Sequence, residues 1–288
     1  VDNASTADGG KVVQFTDWGG ANQQWQLVRV DSGSGALPST LRWSSSGVLA
    51  GPKPDAQHPD VAATKDFSVV RYNNQWLTFA TTAGPSGWGL VQFNFDDWSQ
   101  AASAPHTYLD TSPMGPGYRA APQVFYFAPQ NLWYMVYQTG PPAYSTSTNP
   151  ADPRSWSAPR TFISQEPPIV TQNKGDGTWI DFWVICDTAN CHLFFRDDNG
   201  HIYRAQTDPA NFPNGFGNTQ MVVSDTKNNL FEASNVYKVA GNDQNLTIDP
   251  CRLQYVYQGT DPKAGGRLHP SALADGPAHP DQLHLLTI

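Results

Sequence analysis

Four times along this chain a short run of β-branched and aromatic residues meets a turn and is answered by a second such run. Residues 68–72 (SVVRY) lead into Asn73-Asn74 and then into 76–80 (WLTFA). The pattern returns at 123–127 and 133–137 around Pro129-Gln130-Asn131, and again at 182–185 and 192–195 around Thr188-Ala189-Asn190. That third unit runs on through Asp197-Asp198-Asn199-Gly200 into 201–205, and a fourth begins at Phe231-Glu232-Ala233-Ser234-Asn235-Val236-Tyr237. Branched and aromatic side chains suit a pleated, half-buried surface, and Asn, Gly and Pro supply the turn conformations between strands. Hairpins that recur every ~40–60 residues predict an all-β fold of the β-propeller type, each blade one antiparallel sheet. A β-sandwich would space its turns more evenly and would not return an acidic residue to the head of a hairpin as this chain does at the first, third and fourth.

Composition narrows the partners. Only 15% of residues are charged, aromatics reach 12% with ten Trp, and Gly and Pro number 24 each, a mixture poor in helix formers. The formal net charge of −8 excludes a basic face for nucleic acid and favours a neutral polymer such as a polysaccharide. Trp and Tyr offer flat faces to sugar rings, although packing between sheets is the commoner use of any one of them. No apolar run approaches the ~20 residues of a membrane span, and Val1 does not open a signal peptide, so a soluble, processed or trimmed monomer is expected. Cys186 and Cys191 bracket a small turn and are placed for a disulfide, which points to secretion; Cys251 is left over.

The acids at the hairpin heads carry the chemistry. Lys65-Asp66 precedes the first hairpin, Ile180-Asp181 the third, and Glu232 opens the fourth. Innermost strands of propeller blades line the axis, so acids at their starts converge on one end of it. Convergent carboxylates repel, and folding alone does not favour them. Glycoside hydrolysis needs them, one to protonate the leaving oxygen and one to activate water or attack the sugar. The alternative for any single Asp is a turn or cap residue.

From about Leu41 to Tyr237 the sequence resembles glycoside hydrolase family 62, in the phrases TKDFSVVRYN, FDDWSQAASA, GYRAAPQVFYFAPQNLWYMVYQTGP, WSAPRTF, WIDFWVICDTANCHLFF, DDNGHIYRAQ and DTKNNLFEA, with TIDPCRLQYVYQG near the end. The resemblance implies a five-bladed propeller and a secreted, inverting, exo-acting α-L-arabinofuranosidase acting on arabinoxylan. On the matching positions Asp66 is the general base, Glu232 the general acid, and Asp181 orients the sugar and tunes the pKa of Glu232. Lys65 contacts the arabinose, and Tyr137 and Gln138 belong to the pocket wall. Trp88 is a candidate platform for the xylan backbone, with packing on its own blade as the alternative. Arg119 lines the channel or forms a structural ion pair. Residues 1–30 resemble part of one repeat of a ricin-B-type β-trefoil, ending in Gln23-Gln24-Trp25; residues 31–40 read as a linker, and 41–288 as the propeller.

The chain departs from the family after Gly241. Only Asn242-Asp243-Gln244-Asn245-Leu246 stand before the TIDPC phrase, where roughly a blade's worth of residues, ~40 or more, is expected. By the resemblance the absent stretch carries the His of the family's central Ca²⁺, so no metal ligand is assigned and no cofactor is required, with a structural Ca²⁺ at the channel carboxylates left as the alternative. Two closures follow as expectations: a composite fourth blade from 236–239, 246–248 and 253–257, or an incomplete fifth. A carbohydrate-binding propeller without catalysis is the alternative function.

Overall fold

The computed structural model describes residues 48–228 and 230, together with the strand backbones at 44–45, 235–238, 245–248, 255–259, 269–270 and 286–287. The trefoil remnant, the linker and Glu232 lie outside the described residues.

Each sequence hairpin becomes the core of a four-stranded antiparallel sheet. Blade one is β2 (Ala63–Tyr72), β3 (Gln75–Gly84), β4 (Gly87–Phe95) and β5 (Thr107–Tyr108). Blade two is β6 (Ala120–Phe127), β7 (Leu132–Gln138), β8 (Pro142–Ser147) and β9 (Arg160–Thr161). Blade three is β10 (Ile180–Cys186), β11 (Cys191–Arg196), β12 (His201–Thr207) and β13 (Gly217–Ser224). Asn73 and Asn74 have φ of 45° and 63° between paired Tyr72 and Gln75, the left-handed two-residue turn that matches strand twist.

Period-two alternation explains why the strands are apolar on both faces. On β7, Tyr134 and Val136 point into a core shared with Trp179, Phe182, Leu193 and Phe195 of blade three and the segment before it. Met135 and Tyr137 point the other way, into a core with Leu77, Phe79 and Leu90 of blade one. A blade between two blades has no solvent face, so both side-chain rows are apolar. Trp156 is wholly enclosed in the core between blades one and two, edge-on to Phe79 at 5.7 Å.

Blade four is β14 (Asn235–Lys238), β15 (Asn245–Ile248), β16 (Tyr255–Gly259) and β17 (His269–Pro270). It follows the expected composite blade within two residues at each strand boundary the sequence set. β1 (Ser44–Ser45) pairs with β18 (Leu286–Thr287) as a two-stranded ribbon. The architecture is a β-propeller with four four-stranded blades described. The chain path through 241–244, where the family's missing segment would lie, falls outside the described residues.

Cys186 and Cys191 are a cross-strand pair and form the expected disulfide, closing the β10–β11 turn. The loop is short, so the constraint it places on the unfolded chain is modest. The double variant Cys186→Ser/Cys191→Ser is expected to lose about 2 kcal/mol of unfolding free energy in a denaturant titration. A loss indistinguishable from zero would show that strand pairing alone holds this turn.

Candidate active site

The inner strand of each of the first three blades is interrupted at the same place. Register shifts fall between Lys65 and Ser68 on β2, between Ala120 and Gln123 on β6, and between Ile180 and Trp183 on β10. At each bulge one residue is left-handed: Asp66 (φ 54°), Ala121 (φ 51°) and Asp181 (φ 59°). A bulge re-aims the side chain it carries, and short polar residues tolerate the left-handed region best. Two carboxylates therefore occupy equivalent positions in blades one and three, and a methyl group occupies the third. Such conformations persist where the surroundings over-determine them, commonly at functional sites.

Asp66 is mostly enclosed, its side chain 11% exposed, with Lys65 Nζ 3.8 Å from its carboxyl. Burial pushes its pKa above the ordinary carboxylate range, and Lys65 and a hydrogen bond from Thr81 oppose that without cancelling it. Asp181 is half-buried, and its main-chain N–H donates to Gln138 Oε1 at 3.1 Å. Gln138 Nε2 in turn donates to the Tyr118 hydroxyl at 2.5 Å. Burial pushes the Tyr118 phenol upward; the Gln138 bond opposes this, and the fields of Asp181, Lys65 and Asp66 all reach it. Tyr118 thus reaches the Asp181 main chain through Gln138 and lies within the field of both acids.

Glu232 lies outside the described residues. The strand that starts three residues later, β14, is held beside β10 by Trp183 Nε1 donating to the Val236 carbonyl at 2.8 Å.

The rim above the acids is aromatic. Trp88 is 51% exposed and meets Tyr118, 40% exposed, edge-on at 5.9 Å. Trp88 is therefore free of its own blade's core, as a platform requires. Arg119 braces its own loop. Its guanidinium donates to the carbonyls of Tyr118 (2.9 Å) and Met114 (3.1 Å) and lies over the Tyr137 ring, bracing the loop that presents Tyr118. Tyr137 is wholly enclosed in the core between blades one and two, its hydroxyl bonded to Ser145 at 2.8 Å. Gln138 itself is almost fully buried and spends both ends of its amide on Asp181 and Tyr118.

A cavity of about 530 Å³ follows the inner strands past the bulges, lined by Ser68, Gln123, Trp183 and Val236 among others. Neither Asp66 nor Asp181 lines it, so it is separate from the acid cluster. Among the described residues no three His, Cys, Asp or Glu side chains gather closely enough to hold a metal ion. His58 is held between Asp55 (2.8 Å) and Asp110 (2.9 Å) on the surface of blade one.

Sequence reading overlooked Tyr118 and Thr81. Neither carries a local signal, because their partners lie on other strands and in the next blade.

Residues 42–246 match the family model described as Glycosyl hydrolase family 62. The chain belongs to Glycosyl hydrolase family 62. α-L-Arabinofuranosidase C of Cellvibrio japonicus is 38% identical over 216 residues, 74% of this chain and 32% of that protein, so the chain spans about a third of the length of this curated relative. The catalytic domain of the family 62 α-L-arabinofuranosidase of Coprinopsis cinerea superposes with a TM-score of 0.73 at 48% identity, over 85% of this chain and 78% of that one. A family 62 hydrolase in complex with xylotriose superposes with a TM-score of 0.70 at 41% identity, over 83% of this chain and 76% of the other.

Proposed function

We propose that this family 62 chain is an exo-acting α-L-arabinofuranosidase that removes arabinofuranosyl side chains from arabinoxylan with inversion. The observation that carries the reading is the placement of Asp66 and Asp181 at equivalent left-handed bulges of blades one and three, near the exposed pair Trp88 and Tyr118. Asp66 is the base: ionised, it draws a proton from a water that attacks the anomeric carbon. Glu232 is the acid: it gives its proton to the departing xylose oxygen as that bond breaks. Asp181 keeps Glu232 protonated, because a second carboxylate nearby disfavours a further negative charge. Lys65 and Gln138 shape the pocket, and Trp88 with Tyr118 supports the backbone across its mouth. The arabinofuranosidase names of the relatives and the xylotriose complex support this substrate class. The Cys186–Cys191 disulfide supports an extracellular place of work. We take the monomer as the working form.

Incubation of the purified chain with wheat arabinoxylan tests the reading. Free arabinose is expected, and NMR of the first turnovers should show the inverted anomer. In a substrate complex the carboxyls of Asp66 and Glu232 should stand about 6.5–9.5 Å apart, room for the water; ~5 Å with a retained anomer would reverse the mechanistic assignment. Retention of the polymer without sugar release would favour the non-catalytic binding module.

The base must be ionised to act, so the acid limb of kcat/KM reports the Asp66 pKa. Burial raises that pKa and Lys65 restrains it. The limb is expected above the ordinary aspartate value of about 3.9, and Lys65→Met should move it to still higher pH. A limb that stays in place or falls in the variant removes Lys65 from that role.

A further inference from the structure

Lys65 pairs across its hairpin with Thr81 on β3, and Thr81 is wholly enclosed. Thr81 Oγ1 accepts the main-chain N–H of Ala121 at 2.8 Å, and its hydroxyl lies close enough to the Asp66 carboxyl to oppose the rise in that group's pKa. A hydroxyl carries one proton, and an ionised carboxylate only accepts. With a backbone N–H pointing at Oγ1, the Thr81 proton is left for Asp66. The direction of the chain is imposed from blade two: Ala121 N–H, Thr81 hydroxyl, Asp66 carboxylate.

The arrangement recurs one blade on. Ala120 faces Gln138 as Lys65 faces Thr81, and Gln138 Oε1 accepts the N–H of Asp181. In both cases the residue opposite the start of one bulge reaches the left-handed residue of the next blade's bulge. Ala121 has no polar side chain to satisfy a left-handed backbone locally, as Asp or Asn has. Its conformation is held from outside, by Thr81.

We propose that Thr81 is the positioning residue of Asp66, orienting the carboxylate through a hydrogen bond whose polarity the blade-two bulge sets. This rests on the reading of Asp66 as the base. The other groups that face Asp66 are Lys65 on its own strand and Tyr118 ahead of β6, with Asp181 of β10 beyond Tyr118.

Thr81→Val removes the hydroxyl at nearly constant volume, and Thr81→Ser keeps it. In the full chain, Thr81→Val should lower kcat on arabinoxylan by roughly 10–100-fold, since a misaimed catalytic group is enough for such a loss. KM should stay within about threefold, because the lost interaction serves the transition state. The acid limb should move to higher pH, as ionised Asp66 has lost a donor, and Thr81→Ser should restore both rate and limb. The Asp66 carboxyl titration, followed by ¹³C NMR and identified by its absence in Asp66→Asn, should rise in Thr81→Val and return in Thr81→Ser. That readout needs no turnover, so a chain that releases no arabinose sinks the base reading while the titration still decides the role of Thr81. An unshifted titration in Thr81→Val, or a serine variant as impaired as the valine one, overturns the proposal. Thr81→Ala is read the same way if the valine variant does not fold.

Discussion

Glu232→Gln is expected to lose roughly 10²–10⁴-fold in turnover on arabinoxylan while keeping most of its rate on an aryl arabinofuranoside with an activated leaving group. The xylose hydroxyl leaves poorly as an alkoxide and needs a proton in the transition state. A nitrophenolate-type group leaves as a stable anion and does not. An amide at position 232 fills the space of the acid without its transferable proton, so the two substrates separate proton donation from every other effect of the change. Equal losses on both would take Glu232 out of the acid role. The pH profile adds a second check: the basic limb, which reports deprotonation of the acid, should vanish for the variant on the aryl substrate.

Asp66→Asn is expected to behave differently, with a loss of roughly 10²–10⁴-fold on both substrates. Water must be activated whichever group leaves, so a better leaving group cannot rescue the variant. Folding should not suffer. Burial raises the pKa of Asp66, so the folded state favours its protonated form. A group of this kind contributes to stability at low pH, and the contribution is lost as pH rises through the raised pKa. A neutral asparagine escapes that loss. The thermal midpoint of Asp66→Asn near neutral pH should therefore equal or exceed that of the parent chain, and it should fall toward or below the parent's in acid. A variant that is inactive and also clearly destabilised at neutral pH would mean that Asp66 serves the fold, with catalysis lying elsewhere.

The sequence alone determined the strands and their grouping. Asn73-Asn74 and the alternating apolar rows of 132–138 act through local sterics and period-two geometry, which neighbours in the chain are enough to specify. The same holds for the disulfide, because Cys186 and Cys191 face each other across a turn too short to place them otherwise. The composite fourth blade was legible as well, since the strands on either side of residues 239–244 each carry their own pattern. Asp66 and Asp181 stood out because acids repeated at one offset from a hairpin have no packing use.

Only the tertiary structure decided which polar side chains reach the acids. Thr81 and Gln138 lie on second strands, and their partners belong to the next blade, 40 and 43 residues further along the chain. Nothing in a threonine followed by a threonine, or in a glutamine beside a tyrosine, tells which of the two faces the axis. The packing of one blade on the next decides it, since Thr81 Oγ1 meets the Ala121 N–H and Gln138 Oε1 the Asp181 N–H across the blade boundary. Tyr137 is enclosed in the core between blades one and two while Gln138 reaches blade three, and Arg119 and Tyr118 take their contacts from the loop before β6. Strand identity is a property of a few consecutive side chains, whereas the reach of one blade to the next depends on how whole sheets pack.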